Sequence, residues 1–130
     1  MRKIILILSV ISFTLLSCGS QQQEGISVLE PNVYEQKLNE KEVQLIDVRT
    51  PQEYAEGHIA NAKNINVKSS DFETQIETLD KEKPVMVYCL GGVRSANAAN
   101  VLKQKGFKNI IDLQGGISNW QSAGKPVSNQ

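Results

Sequence analysis

The sequence predicts an α/β protein in which a mainly parallel central sheet carries helices on both faces. Strand and helix candidates alternate along the chain, which is the order that builds parallel sheets. Two strand candidates, Val43–Val48 and Pro84–Tyr88, are short and mostly apolar, as buried strands are. Proline and glycine stand at expected helix ends, for example Pro51 and Gly106, and so divide the chain into short elements.

Each element follows from a local pattern. Pro31 suits the first turn of a helix, and Gly57 suits a helix C-terminus. Ser70 with Glu73 three residues later has the spacing of a capping box, which predicts a helix start. The expected strands are 26–29, 43–48, 63–67, 84–88 and 109–113. The expected helices are 31–39, 51–57, 70–79, 95–105 and 117–123.

Composition narrows the class of protein. The length of 130 residues suits one domain whose core needs no metal or disulfide to hold it together. Fourteen basic and fourteen acidic residues give a formal net charge of zero, which argues against nucleic-acid binding because such proteins carry a basic stripe. His58 is the single histidine, so we expect no metal site.

The N-terminus has the pattern of a bacterial lipoprotein signal. Arg2 and Lys3 precede an almost wholly apolar run over 4–16, which is too short for a permanent transmembrane helix. The run ends in Ser17-Cys18, which resembles a lipobox, although an ordinary signal peptide with a chance cysteine would look similar. We therefore expect a signal peptide at 1–17, a lipidated cysteine and polar tether at 18–25, a domain at 26–127 and a tail at 128–130.

The number of cysteines bears on chemistry. The chain has two, and an exported protein often pairs its cysteines. Lipid on Cys18 would remove that option and leave Cys89 as a free thiol. Such a thiol is either buried and inert or retained for chemistry.

The residues after Cys89 favour chemistry. A strand candidate ends at Tyr88, and sites in parallel sheets form outside the carboxyl ends of the strands. Gly91 and Gly92 permit a loop whose N–H groups point inward as an anion-binding nest. The start of the next helix adds partial positive charge, and Arg94 adds a full one. We expect a thiol at Cys89 to be a reactive nucleophile.

These residues also carry a resemblance. The segment Cys89–Ser95 (Cys-Leu-Gly-Gly-Val-Arg-Ser) resembles the rhodanese signature Cys-x-x-Gly-x-Arg-Ser. Other elements of that family are matched in order by Asp47-Val48-Arg49, Glu53-Tyr54, Gly57-His58-Ile59, Ala62, Asn64-Ile65, Leu113, Gly115-Gly116, Trp120, Gly124 and Pro126. The resemblance covers about 26–127. It departs at Asn61, where the family often has glycine, but asparagine tolerates the left-handed conformation.

The resemblance implies a sulfurtransferase that needs no cofactor. Cys89 would accept a sulfane sulfur from a donor, become a persulfide, and lose the sulfur to cyanide or a thiol. The loop residues Leu90, Gly91, Gly92, Val93 and Arg94 would bind the substrate. Because Leu90 and Val93 are uncharged, thiosulfate is in doubt as the preferred donor.

Charged and aromatic residues outside the loop are expected to support it. Asp47, Arg49 and Glu53 would form an ion-pair network that braces the loop through Arg94, rather than a solvated cluster. We expect Trp120 to anchor the core and His58 to be structural, although a Cys–His pair is the alternative.

Two other functions compete with sulfur transfer. Dual-specificity phosphatases of related fold have one more residue between cysteine and arginine, and the shorter loop here suits a sulfur atom better than a phosphate. A non-catalytic rhodanese-like binding module is the second rival.

The sequence predicts a monomer attached to a membrane through Cys18 and facing the periplasm of the cell envelope. A thioredoxin-like protein is a candidate thiol acceptor there.

Overall fold

The computed structural model describes residues 23–130. The signal peptide expected at 1–17, Cys18 and most of the expected tether lie outside this range. The strands are β1 (Ile26–Leu29), β2 (Gln44–Asp47), β3 (Lys63–Asn64), β4 (Val85–Tyr88) and β5 (Ile110–Leu113). The helices are α1 (Pro31–Leu38), α2 (Pro51–Glu56), α3 (Phe72–Ile76), α4 (Val93–Gln104) and α5 (Gly116–Ser122).

The five strands form one sheet in the order β1-β5-β4-β2-β3, and every pairing is parallel. The predicted α/β fold class is therefore confirmed. All four residues of β4 and of β5 are buried because these strands lie inside the sheet with helices on both sides. The sheet brings the carboxyl ends of β2, β4 and β5 to one edge, where the loop after β4 begins.

Two apolar clusters cover the two faces of the sheet, one on each side. One packs α3 and α4 against Val85 and Val87, and it also contains Cys89. The other packs α1, α2 and α5 against Met86 and Tyr88. Tyr34 and Trp120 meet edge-on in the second cluster with ring centroids 6.3 Å apart. The prediction of helices on both faces is confirmed, and Trp120, at 2% exposure, is a core residue as expected.

Two expectations about helices are wrong. The helix expected from Ser70 to Leu79 is only α3, and its N-cap, Asp71, makes no side-chain capping bond. The capping box instead occurs at α2, where the Thr50 and Glu53 side chains and backbones bond reciprocally. Helix α4 begins at Val93, two residues earlier than expected, because Gly92 takes the N-cap position in the left-handed region.

The C-terminal residues pair with the domain. Backbone N–H and carbonyl groups of His58 and Ser128 exchange two hydrogen bonds of 2.7 Å. The ring of His58 stacks on Tyr54, and its two nitrogens lie 2.9 Å from the Tyr54 carbonyl and 3.0 Å from that of Gln130. The backbone pairing therefore extends one residue beyond the domain end expected at Val127. No helix between residues 23 and 130 is long and apolar enough to cross a bilayer.

Candidate active site

The sulfur of Cys89 lies at the carboxyl end of β4, at the edge where parallel strands place their chemistry. The residue is 1% exposed. Its Sγ accepts a hydrogen bond of 3.0 Å from the Gly92 N–H and contacts the Ser95 hydroxyl at 3.4 Å. The side chain is therefore held by polar groups of the loop and the start of α4, although most of its surroundings are apolar.

Gly92 shapes the loop. Its φ of 112° lies in the region that L side chains rarely adopt, so a residue with a Cβ would be strained there. This conformation turns the Gly92 N–H towards the sulfur and lets its carbonyl accept the first bond of α4 from Ala96. The glycine-rich loop predicted from the sequence thus has a backbone donor aimed at the sulfur.

The N-terminus of helix α5 forms hydrogen bonds with the backbone of the loop. The N–H groups of Ile117 and Ser118 donate to the carbonyls of Cys89 and Leu90 at 2.9 and 3.1 Å. Gly116 makes this approach possible, because a Cβ there would lie 2.3 Å from the Leu90 carbonyl oxygen. The helix N-terminus, whose N–H groups have no partners within the helix, therefore fixes the backbone of the candidate site.

Arg94 binds Glu53 rather than the sulfur. Its two terminal nitrogens donate to the two carboxylate oxygens at 2.8 and 2.9 Å, and both side chains are partly buried. Chiefly because of these bonds, the pKa of Glu53 falls from 4.5 to about 2. Glu53 also caps α2, so the pair ties that helix to the start of α4. The predicted contact of Glu53 with Arg94 is present, and its role in bracing the loop stays a prediction.

Asp47 and Arg49 form a second, more deeply buried pair. The Arg49 guanidinium donates to both carboxylate oxygens of Asp47 and, at 2.7 Å, to the carbonyl of Gly57. Its central carbon lies 5.8 Å from the ring centroid of Tyr88, whose hydroxyl accepts from the Ile59 N–H. The four charged residues thus make two pairs instead of one network, and the Asp47–Arg49 pair packs against the residue preceding Cys89.

The surface beside the loop combines exposed apolar side chains with charged ones. Leu90 is 48% exposed and Val93 is 78% exposed, so both present apolar side chains to solvent. A cavity of about 280 Å³ opens next to Leu90 and is lined by Arg49, Glu53, Glu56, Gly57, Leu90, Ile117 and Gln121. Among residues 23–130, no three histidine, cysteine, aspartate or glutamate side chains gather as a group able to hold a metal ion.

Sequence reasoning assigned no role to two buried polar residues, Ser95 and Asp112. Ser95 is fully buried, and its hydroxyl oxygen lies 3.4 Å from the Cys89 Sγ. Asp112 is 4% exposed, and its Oδ1 has no hydrogen-bond partner among the described residues. Burial raises the pKa of Asp112 from 3.8 to about 6, while Ser95 and the Leu113 N–H act against the shift. A carboxylate inside the apolar strand Ile110–Leu113 was the signal that could have identified it.

The sequence model of the family described as "Rhodanese-like domain" matches residues 30–123. A thiosulfate sulfurtransferase GlpE of Coxiella burnetii is 36% identical over 85 residues, covering 65% of this chain and 78% of that protein. A tRNA uridine(34) hydroxylase of Pelagibacter ubique is 34% identical over 106 residues, covering 81% of this chain. The chain spans only 35% of that hydroxylase.

A solved structure agrees with the sequence comparisons. The crystal structure of a rhodanese-related protein from Thermoplasma volcanium superposes with a TM-score of 0.70 at 33% identity. The match covers 79% of this chain and 98% of that one. The chain is therefore similar to this protein in both fold and sequence over most of the described domain.

Proposed function

Because the chain belongs to the rhodanese-like domain family, we propose that it is a sulfurtransferase that carries sulfane sulfur as a persulfide on Cys89. The single observation that carries the proposal is the Gly92 N–H aimed at Sγ from 3.0 Å, at the start of α4. A backbone donor in this position stabilises negative charge on the sulfur, and the thiolate is the form of cysteine that attacks.

The proposed reaction has two half-reactions. The Cys89 sulfur attacks the sulfane sulfur of a donor, and the donor leaves with the electron pair of its broken bond. An acceptor such as cyanide or a thiol then attacks the outer sulfur of the persulfide and releases Cys89. The loop backbone, fixed by α5, holds the same position in both half-reactions, so no part of the site has to be rebuilt between them.

Charge around the loop bears on the donor. Arg94 is neutralised by Glu53, and Arg49 is neutralised by Asp47. The exposed side chains beside Cys89 are those of Leu90 and Val93. We expect a dianion such as thiosulfate to be a poorer donor than a sulfane sulfur carried by a less charged molecule, because neither arginine presents an uncompensated charge.

Turnover of thiosulfate and cyanide to thiocyanate tests the proposal. We expect measurable turnover by the parent protein and none by Cys89→Ser, since a hydroxyl cannot carry sulfane sulfur. The exposed Thr74→Ala on α3 is the control and keeps the parent rate. Parent-like turnover by Cys89→Ser would contradict the role of Cys89, and a less charged organic thiosulfonate as donor separates a poor donor from an inactive enzyme.

One observation favours the rival binding module. Cys89 is 1% exposed, as an inert structural cysteine would be. A module of this kind would leave Cys89 unmodified by every sulfane donor while the fold stays intact. The Gly92 N–H directed at the sulfur is the reason to prefer catalysis, because an inert apolar side chain needs no such donor.

We further propose that lipid on Cys18 anchors the domain to the cell envelope, facing the periplasm. The support is the apolar run that ends in Ser17-Cys18 and the polar residues that follow. Cys18 lies outside the described residues. An anchored domain would meet its thiol acceptor, for which a thioredoxin-like protein is a candidate, at the membrane surface.

A further inference from the structure

A cavity of about 240 Å³ opens at the β1 edge of the sheet, between that strand and α4. Strand β1 ends the sheet, so no further strand of residues 23–130 closes this side. Helix α4 faces the strand with Ala96 and Ala99, whose small side chains leave the space unfilled. The lining residues are Gln23, Ile26, Val28, Ala96, Ala99, Asn100 and Asp112. The loop 89–92 contributes none of them, so the cavity is separate from the candidate active site.

The carboxyl group of Asp112 belongs to the inner wall of this cavity. In the sheet Asp112 is paired in register with Val28 of β1 and with Val87 of β4. Paired residues of neighbouring strands project to the same face, and Val87 belongs to the apolar cluster packed against α4. The Asp112 side chain therefore projects towards α4, where Val28 and the two alanines surround it. The residue is 4% exposed.

Asp112 is a buried acid whose charge has no partner in the described part of the chain. The other buried carboxylate, that of Asp47, is paired with Arg49. The Oδ1 atom of Asp112, in contrast, accepts no hydrogen bond from residues 23–130. No lysine or arginine is among the residues that line the cavity. A buried carboxylate left in this state costs free energy, and a donor placed in the cavity would relieve that cost.

The lining of the cavity favours one kind of ligand. The carboxylate requires an N–H or O–H donor, and a positively charged donor makes the stronger bond. Ile26 and Val28 offer an apolar wall, and the amide of Asn100 can donate or accept a hydrogen bond. A volume of about 240 Å³ is below the roughly 300–1,000 Å³ of most ligand sites, so the ligand is small. One carboxylate and two amides supply too few oxygens for a calcium ion, which takes about six to eight.

We propose that the cavity between β1 and α4 is a binding site for a small protonated alkylamine. The ammonium group donates to the Asp112 carboxylate, and the alkyl chain packs against Ile26 and Val28. Binding at this site requires neither Cys89 nor the transfer of sulfur. Burial raises the pKa of Asp112 to about 6, and an alkylammonium group resembles that of lysine, with a pKa of about 10.4, so both partners are charged at pH 8.

The test is the binding of n-butylammonium chloride to the full chain in detergent at pH 8, followed by NMR of isotope-labelled isoleucine and valine methyl groups. We expect saturable shifts of the Ile26 and Val28 methyl signals. 1-Butanol, which has the same chain without the charge, should bind about tenfold more weakly, because it lacks the charge-assisted bond. Butyrate, which carries the opposite charge, should not bind.

Three variants separate the carboxylate from the cavity. Asp112→Asn should lower the affinity for butylammonium to that for 1-butanol and leave the affinity for 1-butanol unchanged. Ala96→Leu, at an exposed position of α4, should fill the cavity and weaken the binding of both probes. Glu77→Gln removes an exposed carboxylate far along the chain from the cavity residues and should keep the parent affinities.

Several outcomes overturn the proposal. Equal affinities of the parent for butylammonium and 1-butanol, the absence of saturable shifts at Ile26 and Val28, or an unchanged butylammonium affinity in Asp112→Asn would each do so. If Asp112→Asn fails to fold, undiminished butylammonium binding by Ala96→Leu overturns the proposal by itself. The assay contains no sulfur donor, so its result does not depend on whether the chain is a sulfurtransferase.

Discussion

Arg94 and Glu53 form a two-pronged ion pair, with guanidinium nitrogens 2.8 and 2.9 Å from the carboxylate oxygens. The pair joins α4, which begins beside the sulfur, to α2, which follows β2 at the same edge of the sheet. The sequence analysis placed the positive charge of Arg94 beside the sulfur, but this charge is largely neutralised by Glu53 of α2. The sulfur receives its hydrogen bond from the Gly92 backbone instead.

The first prediction concerns this pair. Arg94→Ala and Glu53→Gln should each lower the free energy of unfolding by about 1–2 kcal/mol, because each leaves a partly buried partner without its bonds. The double variant should cost less than the sum of the singles, and Arg94→Lys should recover only part of the loss, since an ammonium group cannot make both bonds. Urea unfolding measures all four variants. Strictly additive losses would show that the pair does not act as a unit.

The second prediction concerns acid stability. The pKa of Glu53 is about 2 in the folded chain and 4.5 as an ordinary glutamate. A lowered pKa in the folded state contributes stability that is present above pH 4.5 and is lost as the pH falls from there towards 2. The melting temperature of the parent should therefore fall more steeply in this window than that of Glu53→Gln. Equal slopes would show that the carboxylate is not stabilised in the folded chain.

The third prediction concerns the approach of α5 to the loop. Gly116→Ala places a Cβ 2.3 Å from the Leu90 carbonyl oxygen, in addition to the strain of a φ of 64°. Gly124→Ala is the matched control, since its φ is 75° and nothing lies within 4 Å of the added Cβ. The control should cost about 1 kcal/mol, and Gly116→Ala about 2 kcal/mol more with a large loss of sulfur transfer. If Gly116→Ala and Gly124→Ala lose the same stability and the same activity, the close contact at Gly116 is unimportant.

The fourth prediction concerns the N-terminus. Cells that express the full chain and are fed a fatty-acid analogue should yield labelled protein in the membrane fraction, as the proposed lipid on Cys18 requires. Cys18→Ser should be unlabelled, while Cys89→Ser stays labelled and serves as the control. Soluble and unlabelled parent protein would contradict the lipid anchor, and a Cys18–Cys89 disulfide would also contradict the free thiol.

Sequence patterns predicted the layers of the fold because apolar strands and helices alternate without interruption. The family resemblance, confirmed by the comparisons, located Cys89 and the glycine-rich loop. Asn61, expected to replace a glycine in a left-handed turn, indeed has a φ of 69°. These features depend on local residue types, which a single sequence records directly.

Features that depend on competition between sites were not predictable. Thr50–Glu53 and Ser70–Glu73 have the same capping spacing, but the first forms the capping box, whereas Asp71 takes the N-cap position at α3. Likewise, the sequence indicated an ion-pair network that reaches Arg94 but could not show that it would divide into two pairs, because Glu53 and Arg94 meet only when α2 and α4 pack at one edge. Asp112 was overlooked because its neighbours along the chain suggest only a core strand.

The mass of the Cys89 peptide after a single turnover shows whether Cys89 itself carries the transferred sulfur. Purified protein is mixed with a sulfane donor, freed of the donor, and divided into samples with and without cyanide. We expect one added sulfur atom on Cys89 in the sample without cyanide, its absence in the sample with cyanide, and an equal amount of thiocyanate released in the latter. Thiocyanate formed while Cys89 never gains sulfur, or an unmodified Cys89 with every donor tried, would contradict the role of Cys89 as sulfur carrier.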